Sequence, residues 1–423
     1  MGLGTTLIML AALSLSAAQA GSLPTLNPGQ RLVLPPGAYQ GPWEIDQPGV
    51  HLVAEGVVLD GGGQGSALIL AAPGIVVEGL TVENVGSQSD FYAPDAAVWL
   101  VECLACRLEG LVAEGVTTGV RMEGSLGAVV RGAHLTGTAK GPGITIFESP
   151  GAAVLDSYLS NFLDGIYLER ADNTRVIGNA VTGSTRYGLH LMFSHDVELA
   201  FNQVLDNRVG SALMYGRGAH YHHNVMSGHR GPLAFGLLVQ EQTESRLEHN
   251  TIADNTVGML VVSAENNSFY RNELSGNGFG LLLQRAPGDG ASSALLSNNL
   301  FLNNLYDVAV DDPEANVILH GNAFDRASPL DLQGDGVSDL PYLPSSTFAL
   351  LASRQPDLTV FALSPGILLW EQAEAAVPGL RLMTLTDNAA RRLTVEPQRG
   401  GIYLGWAGWL LVALALGGWR WLR

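Results

Sequence analysis

The hydrophobic positions of this chain alternate in short runs instead of recurring every three or four residues. In Gly188–Val209 (GLHLMFSHDVELAFNQVLDNRV), Leu189 and Leu191 share one side, then Val197 and Leu199, then Val204. Alternation at a period of two marks strands, and each run is too short for a helix. The block recurs. Gly165–Tyr187, Gly236–Val257 and Gly258–Phe279 repeat it, and Gly210–Phe235 and Gly280–Tyr306 carry small insertions. Ala97–Thr118, Gly119–Pro142 and Gly143–Asp164 follow it more loosely. A repeat of about 22 residues with three alternating segments predicts a solenoid. Leucine-rich repeats share that period, but turns of Asn, Gly and Ser argue against their helical half. The predicted fold is all-β, a right-handed parallel β-helix of about ten rungs and on the order of 50 Å long.

Asparagine sets the register. Asn179, Asn202, Asn224, Asn250, Asn272, Asn298 and Asn322 occupy one repeat position, and Asn161, Ser184, Asn207, His229, Asn255, Asn277 and Asn303 a second. Asparagine tolerates the left-handed corner conformation, and stacked copies bond from rung to rung. Both columns, His229 included, are read as scaffold.

The two ends differ from the repeats. Leu7–Leu15 is apolar and Ala18-Gln19-Ala20 is a small-x-small cleavage site, so residues 1–20 read as an export signal, although no Lys or Arg precedes the apolar run. Residues 402–418 carry no charge, hold Trp406 and Trp409, and are followed by Trp419-Arg420-Trp421-Leu422-Arg423. At the helical rise that segment extends about 25–31 Å, which predicts a single C-terminal transmembrane helix ending in the cytoplasm, with a buried C-terminal helix or a cleaved sorting tail as the alternatives. The expected organisation is a signal peptide at 1–20, an N-terminal cap and first rungs at 21–74, and β-helix repeats at 75–330. A C-terminal cap at 331–390 and a membrane-proximal segment with the transmembrane helix at 391–423 complete it.

Composition narrows the partners. A hydrophobic content of 47% argues against disorder, and 52 glycines with only 15% charged residues suit repeated turns. Twenty-two basic against 40 acidic residues give a net charge of −18, which repels a phosphate backbone, so nucleic acid is not an expected partner.

The register also assigns faces. With Leu189 and Leu191 inward, His190 and Met192 point outward, and Met214 lies directly above Met192. His195 follows at the corner. Tyr221 aligns with inward Leu199, which turns His220 and His222 outward in the run His220-Tyr221-His222-His223. Met226 aligns with inward Val204 and belongs to the core. Thioethers are soft ligands suited to Cu(I), and imidazole binds copper in either state. His190, Met192, His195, Met214, His220, His222 and His223 therefore form the candidate copper site, with a docking face for a partner protein as the alternative explanation of the methionines.

Other constellations carry less. Cys103 and Cys106 form a Cys-x-x-Cys that could be a disulfide, a redox pair or half of a metal site. Asp331, Asp335 and Asp339 take the spacing of a calcium loop, but Tyr342 stands where a bidentate Glu is needed, so a turn is favoured over calcium. Asp164, Glu169 and Asp172 cluster, and Asp311 and Asp312 are adjacent. Paired carboxylates could hydrolyse glycosides, but no groove-forming insertion accompanies them. A carbohydrate-active or carbohydrate-binding β-helix is the alternative function.

Several segments together resemble the NosD family of periplasmic copper-processing proteins: Arg186–Met192 (RYGLHLM), Asn207–Tyr215 (NRVGSALMY), Arg230–Leu238 (RGPLAFGLL), Asp331–Tyr342 (DLQGDGVSDLPY) and Phe361–Pro365 (FALSP). The resemblance implies a maturation factor for the copper centres of nitrous oxide reductase, an accessory protein of denitrification and not an enzyme. It implies transient copper, an ABC transporter membrane subunit and a copper-chaperone lipoprotein as partners, and a periplasmic location. With the C-terminal helix, the expected protein is anchored to the inner membrane. Met192 and Met214 fall within matching segments; Cys103, Cys106, His220–His223 and the C-terminal segment do not map onto the family pattern.

Overall fold

Each turn of the chain lays one short strand on each of three sheets, and every strand pairs in parallel with its counterpart one turn away. The computed structural model describes residues 22–392, apart from 233, 287, 313, 378–379 and 381–384. Among the described residues, sheet I holds 13 strands, from Arg31–Val33 to Asn316–His320. Sheet II holds 14, from Gly37–Gln40 to Ala323–Phe324 and then Arg391–Arg392, and sheet III holds 12, from Trp43–Ile45 to Tyr306–Asp311. The protein is a parallel β-solenoid of 13 turns by the count of sheet I, not about ten. The extra turns lie before residue 97, where apolar residues such as Leu80, behind the left-handed Gly79, hold the place that the stacked asparagines take in the later repeats.

The core runs down the axis. Leu52, Val77, Leu108, Val130, Val154, Val176, Leu199, Tyr221 and Leu247 stack inward along sheet I, all buried. Cys103 and Cys106 are buried among them and joined as a disulfide, which resolves the three alternatives left open for the pair.

At the corners, the left-handed residue and the stacked residue are neighbours. Gly178, Phe201, His223, His249, Arg271, Asn298 and Gly321 have positive φ, and the residue after each is the buried asparagine of the first ladder. Asn179, Asn202, Asn224, Asn250, Asn272 and Asn299 each pass backbone and side-chain N–H bonds to the Oδ1 of the next, the last of these being Asn322. The second ladder follows the same rule through Ser184, Asn207, His229, Asn255, Asn277 and Asn304. Three sequence assignments are thereby corrected. Asn161, Asn298 and Asn303 supply the left-handed bend, and Phe162, Asn299 and Asn304 take the stacked places behind them. The bend and the stack cannot share a residue, because the turn in the backbone is what aims the next side chain inward.

The far end is closed by a cap. Asp387, fully buried, accepts from the backbone N–H of Gly321 and Asn322 (3.2 and 3.0 Å) and from Asn322 Nδ2 (2.8 Å). Helix α1 (Thr347–Arg354) begins at the Ser346 cap and lays Phe348, Ala349 and Ala352 on the outer face of sheet III. There they join Leu238, Val257, Leu260, Phe279, Leu282, Tyr306 and Ala309 in a second apolar cluster outside the solenoid. Helix α2 (Pro365–Ala376) follows. Among the described residues no helix is long and apolar enough to cross a membrane. The signal segment 1–20 and the apolar segment 402–418 lie outside the described residues, and the solenoid unit ends at Arg392.

Asn304 tests the register. Its Oδ1 accepts from Asn277 N and Nδ2 (both 3.0 Å) and its Nδ2 donates to Leu274 O (2.8 Å). Asn304→Ala strands these buried groups and is expected to lower stability by about 3 kcal/mol, read as a drop in the urea midpoint. Asn303→Gly, at the exposed bend, is expected to change it by less than about 0.5 kcal/mol.

Candidate metal and docking site

The seven predicted ligands divide between two sheets. His190, Met192 and Met214 belong to the sheet III strands Tyr187–Met192 and Val209–Met214, whereas His220 and His222 belong to the sheet I strand His220–His222. His195 stands at the corner between them, bridged to Arg217.

On sheet III, Met192 pairs with Met214 one turn on, and both are partly exposed at the last position before the left-handed corners Phe193 and Tyr215. Phe193 and Tyr215 stack at 5.1 Å beside them. Met214 also packs against the outer apolar cluster, so its thioether has an apolar neighbour as well as solvent. His195 is half-buried; its backbone N–H donates to Asp172 (2.8 Å), and its Nδ1 makes no hydrogen bond among the described residues.

His190 corrects the expectation of an exposed ligand. It points out of the solenoid, as the alternation requires, yet it is only 4% exposed. Tyr167 and Tyr187 flank its ring at 5.0 and 4.4 Å, and Phe91, from the 86–95 segment, covers Tyr167 and Arg186. Beneath it lies Asp164, fully buried, which accepts from Arg186 Nε (2.7 Å) and Arg186 Nη2 and meets His190 Nδ1 at 2.9 Å. Burial pushes the Asp164 carboxyl up, but hydrogen bonds from His190 and Arg186 and their charges outweigh it and hold the carboxyl below its usual range. His190 Nε2 has no hydrogen-bond partner among the described residues. A histidine fixed through Nδ1 by a carboxylate and free at Nε2 has the form of a supported metal ligand.

On sheet I, Tyr221 anchors the histidine run. Its ring is fully buried, and its hydroxyl meets Ser211 Oγ (2.8 Å) and Met226 Sδ (2.9 Å) inside the core. Ser211 is a small residue in a column of large apolar ones, between Leu189 and Leu237, which makes room for the larger Tyr221. With the middle residue locked, His220 and His222 project outward. Their rings lie 4.1 Å apart. His220 Nε2 meets Glu248 Oε1 at 3.0 Å and His222 Nε2 meets Glu198 Oε1 at 3.3 Å. Sequence reasoning missed both glutamates, although the parallel register pairs Glu198 with His220 and Glu248 with His222. His222 Nδ1 contacts His223 Nδ1 at 2.9 Å, and His223 stacks between Phe201 and His249 at 4.9 and 5.0 Å. Burial, then the neighbouring His222 and His249, lower the pKa of His223.

The carboxylates weighed as catalytic groups are engaged elsewhere. Glu169 accepts from Tyr167 and from Arg170 (3.0 Å), Asp172 from His195, Asp311 from Arg354 (2.9 Å), and Asp312 from Ser292 and Glu314 backbone N–H groups. Asp331 accepts from the backbone N–H of Gly334, Asp335 and Gly336 (2.6, 3.2 and 2.9 Å), and Asp339 accepts from Leu332 N. These bonds make 331–339 a self-bonded turn.

Three parallel sheets wound turn upon turn define the class: a parallel β-solenoid, with the candidate ligands on outward positions of two of its sheets. A family model described as periplasmic copper-binding protein (NosD) matches residues 126–324, which contain every candidate ligand. A probable ABC transporter binding protein NosD of Stutzerimonas stutzeri is 34% identical over 152 residues, covering 34% of this chain and 34% of that protein. A Pseudomonas aeruginosa protein of the same name is 44% identical over 78 residues, 18% of this chain and 70% of that one. The chain belongs to the NosD family. Among solved structures, an alginate lyase bound to a trisaccharide superposes with a TM-score of 0.54 at 12% identity, over 71% of this chain and 80% of that one. A periplasmic alginate epimerase superposes with a TM-score of 0.51 at 14% identity, over 70% and 85%. These likenesses show the fold alone.

The Asp164 network makes a prediction with a definite sign. Its folded pKa lies below the ordinary 3.8, so its stabilising contribution is complete above that value and is lost as pH falls through the lower one. Asp164→Ala leaves Arg186 and His190 without their carboxylate and is expected to cost about 3 kcal/mol near neutral pH. In denaturant melts, the gap between wild type and variant should stay constant from about pH 5 to 8 and shrink below about pH 4.

Proposed function

We propose that this protein is a periplasmic accessory factor that handles copper transiently for the maturation of the copper centres of nitrous oxide reductase. It works with an ABC transporter membrane subunit and receives copper from a lipoprotein chaperone, and the 402–418 segment holds it at the inner membrane. The observation that carries the reading is the Met192–Met214 pair, partly exposed on adjacent turns within the region that matches the copper-binding family. Thioethers favour Cu(I), and two buried nitrogens of the same strand and corner, Nε2 of His190 and Nδ1 of His195, have no hydrogen-bond partner among the described residues.

A second feature supports a docked partner. Val360, Phe361, Leu363, Leu369 and Trp370 are exposed around the short helices that follow α1. An apolar surface of this kind marks an interaction site on an otherwise soluble fold. It is assigned here to the transporter.

The carbohydrate alternative also has an observation in its favour. A cleft of about 310 Å³ lies between the 86–95 segment and sheet III, lined by Phe91, Tyr92, Arg121, Glu123, Phe147 and Tyr167. Aromatic faces with a few charged groups suit a sugar, and glycan binding that is lost in Tyr92→Ala would favour that reading.

A deletion strain is expected to yield nitrous oxide reductase with most of its copper missing, restored by the wild-type gene. Met192→Ala plus Met214→Ala should restore at most about a tenth as much copper, the loss expected when two soft ligands are removed. A deletion strain with a fully copper-loaded reductase would overturn the assignment. Phe361→Glu plus Leu363→Glu should abolish recovery of an ABC transporter with the tagged protein from membranes, while leaving its thermal melt unchanged.

A further inference from the structure

We propose that Glu198, His220 and His222 form a second metal site, selective for a divalent ion of the Cu(II) or Zn(II) type and separate from the methionine pair. The proposal goes beyond the copper(I) reading, because it rests on other donors on another sheet and survives if that reading fails.

The first argument is spacing. One ligand atom from each of the three residues lies within 4.8 Å of the others. His222 Nε2 and Glu198 Oε1 are 3.3 Å apart. Two ligands of a tetrahedral ion with bonds of about 2.0 Å stand about 3.3 Å from each other, so this pair is already near the separation that an ion would impose. His220, whose ring lies 4.1 Å from that of His222, brings the third donor by a side-chain rotation and without moving the backbone.

Rigidity is the second argument. The two histidines sit on one three-residue strand whose middle side chain, Tyr221, is locked in the core by Ser211 and Met226. Glu198 is held on the preceding turn by the parallel register. Ligands carried on paired strands lose little freedom on binding. Glu248, on the following turn, meets His220 at 3.0 Å and is itself held by Arg246 (2.9 Å), so it stands ready to orient that imidazole as an outer carboxylate.

Donor chemistry decides the ion. Two imidazoles and a carboxylate, with no sulfur among them, suit borderline divalent ions and not Cu(I). The neighbouring ring of His223 meets His222 Nδ1 at 2.9 Å, which fixes the orientation of His222 from the side away from Glu198. Binding needs one unprotonated nitrogen on each ring: His222 gives up the proton at Nε2, to solvent from an imidazolium or to Nδ1 from a neutral ring, while His220 keeps the Nε2 proton that Glu248 accepts and offers Nδ1, and no electron transfer is involved.

The test uses the full chain in mild detergent, titrated with Cu(II) and with Zn(II) against a competing chelator, with electron paramagnetic resonance of the Cu(II) form. One equivalent should bind, with hyperfine coupling from two nitrogens. His220→Asn plus His222→Asn should lose that coupling and weaken binding at least tenfold, and Glu198→Gln should weaken it without loss of the nitrogen signal. Met192→Ala plus Met214→Ala should bind Cu(II) as wild type does, which separates failure here from failure of the copper(I) reading. His51→Gln, which removes a histidine paired with Glu78 at 3.0 Å far down the same sheet, should also bind as wild type. Unchanged melting curves show that the variants fold. Wild-type Cu(II) without nitrogen coupling, or folded His220 and His222 variants with unchanged affinity, would overturn the site.

Discussion

Every residue in this solenoid rests on the residue one turn earlier, held there by parallel backbone pairing that repeats from Arg31 to the last turn. That constraint makes the side chains one-dimensional columns. An apolar column becomes core, an asparagine column becomes a hydrogen-bond ladder, and an outward column becomes a strip of surface whose members are about 4.8 Å apart. Two outward residues at the same repeat position are therefore forced into contact. Met192 and Met214 meet for this reason, and so do Glu198 and His220. The juxtaposition on which both proposed sites rest is a by-product of the register.

The alternation of Leu189 with Leu191, and the recurrence of asparagine, were enough to read the architecture and to assign inward and outward faces. What the sequence hid was what lies over those faces. His190 is outward by register, but Tyr167 and Tyr187 flank it, and Phe91, from a segment some hundred residues away, covers Tyr167 and Arg186 beside it. The one-residue displacement at Asn298 and Asn303 has a different origin. Consecutive asparagines satisfy either alignment on paper, and only the backbone bend decides which of the two stacks. The first turns, placed at 21–74 together with a cap, were undercounted because apolar residues such as Leu80 stand where later turns carry the asparagine ladder.

Glu198 and Glu248 show a third kind of omission. The search for copper ligands followed methionine and histidine, whereas the partners that hold His220 and His222 are carboxylates supplied by adjacent turns. The same register that aligned the methionines would have found them. The register did separate the donors, since Tyr221 over Leu199 puts His220 and His222 on a different sheet from Met192 and Met214.

The asparagine ladder has a direction. Each rung donates toward the C-terminus and accepts from the N-terminal side, so the final donors at Asn322 need an acceptor that demands nothing in return, and the carboxylate of Asp387 supplies it from 65 residues downstream. Because that terminator reads only the last rung, whole turns can be duplicated or deleted upstream without altering how the stack ends. The closure of the stack is thus set by its last rung and not by the number of turns that precede it.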